Sequence, residues 1–185
     1  MVFGTSTGGP INLSTVTNGS NGFVIEADSS FSGAGYLVSE AGDVNADGLA
    51  DLVVGAAGSG VSYVVFGKAN NAAVNLSALS NGTSNQGFII KGEVATDSAH
   101  LVSNAGDVNG DGFSDIVVGA PGNDAVAANS GRAYVVFGKS NGSAINLSSL
   151  ALSNNAQGFS ITGLASDDQL GGSVSFAGDI NGDGL

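Results

Sequence analysis

Residues 106–115 read Gly106-Asp107-Val108-Asn109-Gly110-Asp111-Gly112-Phe113-Ser114-Asp115, and a near-copy stands at 42–51, Gly42-Asp43-Val44-Asn45-Ala46-Asp47-Gly48-Leu49-Ala50-Asp51. A third copy starts at Gly178 and runs to Leu185, the last residue. Counting from the first Asp, each full copy puts side-chain oxygens at positions one, three, five and nine, with glycine at six. Alternating oxygen donors and a turn glycine suit a hard cation. Calcium accepts about six to eight oxygens in flexible geometry, whereas magnesium tends to keep its waters. The expected Ca2+ donors are the side chains of Asp43, Asn45, Asp47 and Asp51 with the Leu49 carbonyl, and those of Asp107, Asn109, Asp111 and Asp115 with the Phe113 carbonyl. The third loop offers Asp179, Asn181 and Asp183 but no ninth-position residue, so weak or no binding is expected there. An Asp-Gly hairpin turn accounts for Asp47-Gly48 and Asp111-Gly112. It does not account for three carboxylates within nine residues, which repel one another without a cation. An EF-hand needs a Glu at position twelve and flanking helices; position twelve here is Val54 or Val118.

The loops belong to a repeat with five anchors in constant order. These are Val-Phe-Gly at Phe3, Phe66 and Phe137; an apolar-Asn-Leu-Ser group at Ile11, Val74 and Ile145; Gly-Phe-x-Ile at Phe23, Phe88 and Phe159; the acidic loop; and the runs Leu52-Val53-Val54-Gly55 and Ile116-Val117-Val118-Gly119. The loop-to-loop period is 64 residues, then 72. Most of the difference lies in one place: Asp43 to Phe66 spans 23 residues and Asp107 to Phe137 spans 30. About seven extra residues between Gly119 and Ala133 mark a surface loop, where insertions are tolerated.

Short β-branched or aromatic runs bounded by Gly, Asn and Asp predict strands, and no stretch of helical length holds a 3.6-residue apolar period. The runs are continuously apolar, as in strands buried on both faces, and stacked propeller blades bury strands that way. Four strands per unit are expected, near 99–106, 115–120, 132–138 and 158–162 in the second complete unit. The fold class is all-β, with four-stranded antiparallel blades in a partial arc. The approximate units are 1–30, 31–94, 95–165 and 166–185.

The net charge of −12, from 16 acidic against 4 basic residues, argues against nucleic acid and anionic membranes, which attract basic patches. No apolar run reaches membrane-spanning length, and without cysteine there is no disulfide framework. No signal peptide is visible in the chain.

The anchors resemble the FG-GAP repeat of the integrin α-subunit β-propeller, and most of all bacterial integrin-like proteins. Phe66-Gly67 and Phe137-Gly138 match one half of the name and Gly119-Ala120-Pro121 the other; Gly55-Ala56-Ala57 departs by one residue. The resemblance implies a seven-bladed propeller in a complete protein, calcium in the loop between the first two strands of some blades, an extracellular or cell-surface location, and adhesion or protein interaction. The alternative is a non-catalytic accessory propeller of a secreted hydrolase. Because hairpins alternate between the two ends of a blade, the insertion lies on the face opposite the metal loops, where a protein or glycan ligand is expected. An arc of blades also exposes strand edges, which invites self-association.

No catalytic residue is expected. His100 is the only histidine, and Tyr36 and Gly172 hold its place in the other units. Lys68 and Lys139 read as solvated loop charges, Arg132 as a partner for Asp124, and Asp167-Asp168 as a solvated turn.

Overall fold

The computed structural model describes residues 1–3, 12–17, 21–31, 33–97, 99–152, 156–182 and 184. In chain order the elements are α1 (Leu13–Thr17), β1 (Ile25–Glu26), β2 (Ala34–Gly42), β3 (Asp51–Ala56), β4 (Val61–Val65), β5 (Val74–Asn75), α2 (Leu76–Ser80) and β6 (Gly87–Lys91), followed by a 3-10 turn at Ala95–Asp97. Then come β7 (Leu101–Gly106), β8 (Asp115–Ala120), β9 (Arg132–Val136), β10 (Ile145–Asn146), α3 (Leu147–Leu152) and β11 (Gly158–Thr162).

Two antiparallel four-stranded blades result. The first runs β2-β3-β4-β6 and the second β7-β8-β9-β11. The expected strand positions in the second unit agree with β7, β8, β9 and β11 to within two residues at either end. The middle strands are buried along almost their whole length, with β4 and β9 buried at every residue. Burial on both faces explains why their sequences lack alternation.

Between the blades Ile90, Phe88, Val64 and Val53 of the first share one core with Val102, Ile116, Val118 and Tyr134 of the second. The Gly-Ala pair repeated in both blades has a packing cause at this interface. A Cβ on Gly55 would lie 2.1 Å from the His100 carbonyl oxygen, and one on Gly119 would lie 2.0 Å from that of Gly171. Each glycine admits the backbone that opens the following unit.

The apolar-Asn-Leu-Ser anchor does something the sequence pattern did not announce. Its first two residues form a short parallel strand on the outermost strand of the preceding unit. Val74 and Asn75 pair with Ile25 and Glu26, and Ile145 and Asn146 pair with Ile90 and Lys91. Its next residues form a one-turn helix, capped in α2 by the Asn75 carboxamide, which accepts the Ser77 N–H at 2.9 Å. These three helices of five or six residues correct the purely β expectation for the connections. They are too short to carry a helical period, and their legible signal is the Asn cap before Leu-Ser.

The outer units are less complete. Residues 1–3 and 21–26 form the end of a blade, with the Phe3 N–H bonded to the Asn21 carbonyl and the Phe23 N–H to that of Met1. Residues 166–182 contain no strand among the described residues; Leu170 makes an isolated bridge to Gly131.

Candidate metal loops and the blade interface

The two complete acidic loops join β2 to β3 and β7 to β8, so they sit at the same end of adjacent blades. In each, the first aspartate gathers the backbone. Asp43 accepts the Asp47 N–H at 3.0 Å and the Gly48 N–H at 2.9 Å. Asp107 accepts those of Gly110, Asp111 and Gly112 at 2.8, 3.1 and 2.9 Å. Asn45 and Asn109 accept from the position-five N–H, and Asp47 and Asp111 from the Leu49 and Phe113 N–H groups. The turn glycines adopt positive φ, 86° at Gly48 and 89° at Gly112, which only glycine enters at no steric cost.

The ninth-position aspartates differ from the rest. Asp51 and Asp115 are buried, and both oxygens of each are engaged by backbone. Asp51 accepts the Val44 N–H at 2.7 Å and the Gly67 N–H at 2.6 Å. Asp115 accepts the Val108 and Gly138 N–H groups, both at 2.8 Å. Each carboxylate therefore brackets the start of its loop to the Phe-Gly pair that ends the third strand. The glycine of that pair is sterically required. A Cβ at Gly67 would meet the Ala50 carbonyl oxygen at 2.4 Å, and one at Gly138 the Ser114 oxygen at 2.6 Å. Burial pushes both carboxyls up to about 6, against the N–H bonds of Gly67 and Gly138, and the two neighbouring loop aspartates add to the rise.

As a donor set for a divalent cation the loops fit in kind: every side chain is an oxygen ligand, and the backbone is already wrapped around the first aspartate. As placed, the carboxylates turn toward N–H groups, and Asn45 Nδ2 donates to Asp47 Oδ2 at 2.9 Å. Among the described residues no three His, Cys, Asp or Glu side chains converge on one point. The third loop wraps in the same manner, with Asp179 accepting the Gly182 and Gly184 N–H groups at 2.7 and 2.8 Å. Asn181 is exposed beside it, and Asp183 lies outside the described residues.

The first loop is also held by the second blade. Ser114 donates its N–H to the Asp43 carbonyl at 2.9 Å and accepts the Asp43 N–H on its hydroxyl at 3.1 Å. The Lys139 N–H reaches the Val44 carbonyl at 2.8 Å.

Several charged residues depart from their expected places. Lys68 and Lys139 are half-buried rather than fully solvated. Their ammonium groups lie 4.7 Å from the centroid of Phe23 and 4.3 Å from that of Phe88, each ring belonging to the preceding unit. Burial lowers the Lys139 amine to about 8. The sequence signal for this placement is a lysine directly after Phe-Gly in both units. Arg132 does not meet Asp124. It pairs with Glu93 at 2.5 Å, across the blade interface, and Tyr134 donates to the same carboxylate. Tyr63 makes the equivalent bond to Asp28 at 3.3 Å. Asp124 instead accepts the Asn129 N–H at 2.7 Å within the insertion. Asp168 closes a turn by accepting the Leu164 and Ala165 N–H groups, as the solvated-turn reading expects. His100 stacks edge-on against Tyr36 at 5.2 Å, its Nδ1 is buried without a partner among the described residues, and burial lowers its pKa.

The FG-GAP repeat family model matches residues 39–74 and 102–136, each covering an acidic loop, the two strands after it and part of the strand before it. The chain carries FG-GAP repeats. Similar proteins include integrin alpha-PS3 and integrin alpha-PS5 of Drosophila melanogaster, 35% and 34% identical over 98 residues. The matched region is 50% of this chain but only 8% and 9% of those proteins, so the chain spans under a tenth of the length of these relatives. No helix among the described residues is long and apolar enough to cross a membrane.

Proposed function

We propose that this FG-GAP segment is a non-catalytic, calcium-stabilised propeller module of a secreted or cell-surface protein that serves adhesion or protein interaction. One observation carries the calcium reading: both complete loops enclose the same oxygen donors around one tightly wrapped turn, next to a buried carboxylate that burial and two neighbouring carboxylates leave poorly compensated. A divalent cation there would supply the missing positive charge and pin the hairpin. Asp43, Asn45, Asp47, the Leu49 carbonyl and Asp51 would hold it in the first blade. Asp107, Asn109, Asp111, the Phe113 carbonyl and Asp115 would hold it in the second. The integrin relatives support the adhesive reading.

Calorimetric titration with calcium tests this directly. Two sites are expected, with dissociation constants of about 10⁻⁴–10⁻³ M as in extracellular modules, and the double variant Asp47→Ala/Asp111→Ala loses both. Absence of heat, together with identical melting in calcium and in chelator, would remove metal from the function.

The partner-binding face is assigned to the insertion at 121–131, at the opposite end of the blade from the metal loops. It is not a detachable excursion. Asn123 is buried and donates to Asp97 at 2.7 Å, and Gln169 and Leu170 donate N–H groups to the Asn129 and Ser130 carbonyls. Its tip is open, with Val126 58% exposed. Val126→Glu is therefore the cleaner probe than deletion. Binding to immobilised matrix proteins or glycans should fall while calcium uptake stays constant; binding unchanged in the variant places the partner elsewhere.

A further inference from the structure

The two complete metal loops touch across the blade interface, and the contact is made by a residue of the second loop that serves the first. Ser114 stands at position eight of its own loop, between Phe113 and the bracketing Asp115. Its hydroxyl accepts the Asp43 N–H at 3.1 Å, and its own N–H donates to the Asp43 carbonyl at 2.9 Å. One residue thus holds both backbone polar groups of the aspartate that opens the first loop. The next carbonyl, that of Val44, accepts the Lys139 N–H at 2.8 Å. Three bonds from the second blade therefore fix the first two residues of the first loop.

The packing around these bonds is close. Gly42, just before Asp43, has a φ of 73°, and a Cβ there would lie 2.4 Å from Ser114 Oγ and 2.6 Å from Ser114 Cβ. A Cβ on Gly138 would lie 2.5 Å from Phe113 Cβ and 2.9 Å from the Val44 carbonyl oxygen. The glycine whose N–H meets Asp115 also seats the first loop against the second. What is fixed at Asp43 matters to the whole first loop, because its carboxylate gathers the Asp47 and Gly48 N–H groups. Position eight of the first loop is Ala50, which has no hydroxyl to offer. The Ser114 contact is therefore a property of this interface and not of the repeat.

We propose that Ser114 is a positioning residue for the first metal loop: its hydroxyl fixes the backbone of Asp43, and through it the place from which the first loop's oxygen donors reach a cation. The effect on cation affinity rests on the calcium reading above; the effect on the Asp43 backbone does not. With its N–H held, Asp43 starts from a narrower range of positions, so less freedom is lost when the donors converge, which is the general gain from preorganisation. The hydroxyl is spent on the neighbouring blade's loop, so its removal is felt there and not in the loop that carries it.

The experiment places Ser114→Ala in the full chain on two one-site backgrounds, Asp111→Ala, which keeps the first loop intact, and Asp47→Ala, which keeps the second. Calorimetric titration with calcium should show the first site weakened about two- to tenfold by Ser114→Ala, the worth of one hydrogen bond, and the second site unchanged. Amide hydrogen exchange in chelator supplies a readout without metal. The Asp43 N–H should exchange faster in Ser114→Ala, while the Val108 N–H, bonded to Asp115 in the second loop, keeps its protection. Equal weakening of the two sites, or weakening of the second alone, overturns the proposal, because Ser114 would then serve its own loop. Unchanged exchange at Asp43 overturns it as well. If neither one-site variant takes up calcium, the calcium reading fails, and the exchange at Asp43 alone decides the positioning role.

Discussion

The two complete blades carry the same loop, the same aspartate bracket and the same lysine over the preceding ring, yet the first is enclosed and the second is not. Along β6 four of five residues are buried; along β11 only the first is. Val44 is fully buried in the first loop, while Val108 at the equivalent place is half-exposed. The local sequence is nearly identical at these positions, so the difference comes from the neighbour: the second blade covers the first, and among the described residues no strand pairs with the outer side of β11. A blade is a repeating unit whose stability depends on the unit that follows it, as in other repeat architectures.

The strongest way to break that comparison is at the paired isoleucines. Ile90→Ala should cost about 2–5 kcal/mol, the range for a truncated core aliphatic, and Ile161→Ala should stay within about 0.5 kcal/mol, as at surface sites. Denaturant melts of both would measure the gap; equal losses would show that the β11 edge is as covered as β6. The brackets should instead behave alike in the two blades. Asp51→Asn and Asp115→Asn each set an amide NH2 or a weaker acceptor against backbone N–H groups, so each should destabilise by about 1–3 kcal/mol. A loss confined to Asp51 would mean that the second bracket depends on a following blade.

The brackets also give a pH signature in the absence of calcium. Their folded pKa, about 6, stands above the ordinary aspartate value of 3.8. The folded state therefore holds more protons between these values, and its advantage is fully present below pH 3.8 and lost as pH rises through 6. Thermal melts in chelator should fall over that window, and saturating calcium should reverse the trend above it. A rising melt in chelator would mean that the N–H bonds outweigh burial at both carboxylates. The smallest effect is expected at the lysines. Lys139→Met keeps the packed stem but removes the charge over Phe88 and its bond to the Ser143 hydroxyl at 2.9 Å. The loss should be about 0.5–1 kcal/mol, and slightly less for Lys68→Met over the more distant Phe23 ring.

Much of this was legible because it is local. The all-β reading, the four strands of the second blade, the loop between the first two strands and the turn glycines follow from residue type and spacing, since short β-branched runs between Gly, Asn and Asp have few other ways to fold. The oxygen donors of the candidate metal loops are equally plain in the chain. What spacing could not reveal was where long side chains end. Arg132 passes over nearby Asp124 to reach Glu93, and Lys139 lies on a ring 51 positions earlier in the chain. The role of Asp51 and Asp115 as brackets was hidden for a related reason: it depends on a Phe-Gly pair brought beside the loop only when the third strand docks on the second.

The sequence by itself determined the repeat, its strands and the chemistry of its loops, because those depend on backbone preferences and donor identity within about ten residues. Only the tertiary structure decided which blade edges are covered, which carboxylates are buried and which aromatic rings receive the lysines. Those depend on the unit that follows or precedes, and a pairing of two residues leaves no periodicity to read. The same apolar-Asn-Leu-Ser words stand at 11, 74 and 145, and only the strand beside them shows that those at 74 and 145 seal the edge of the preceding unit.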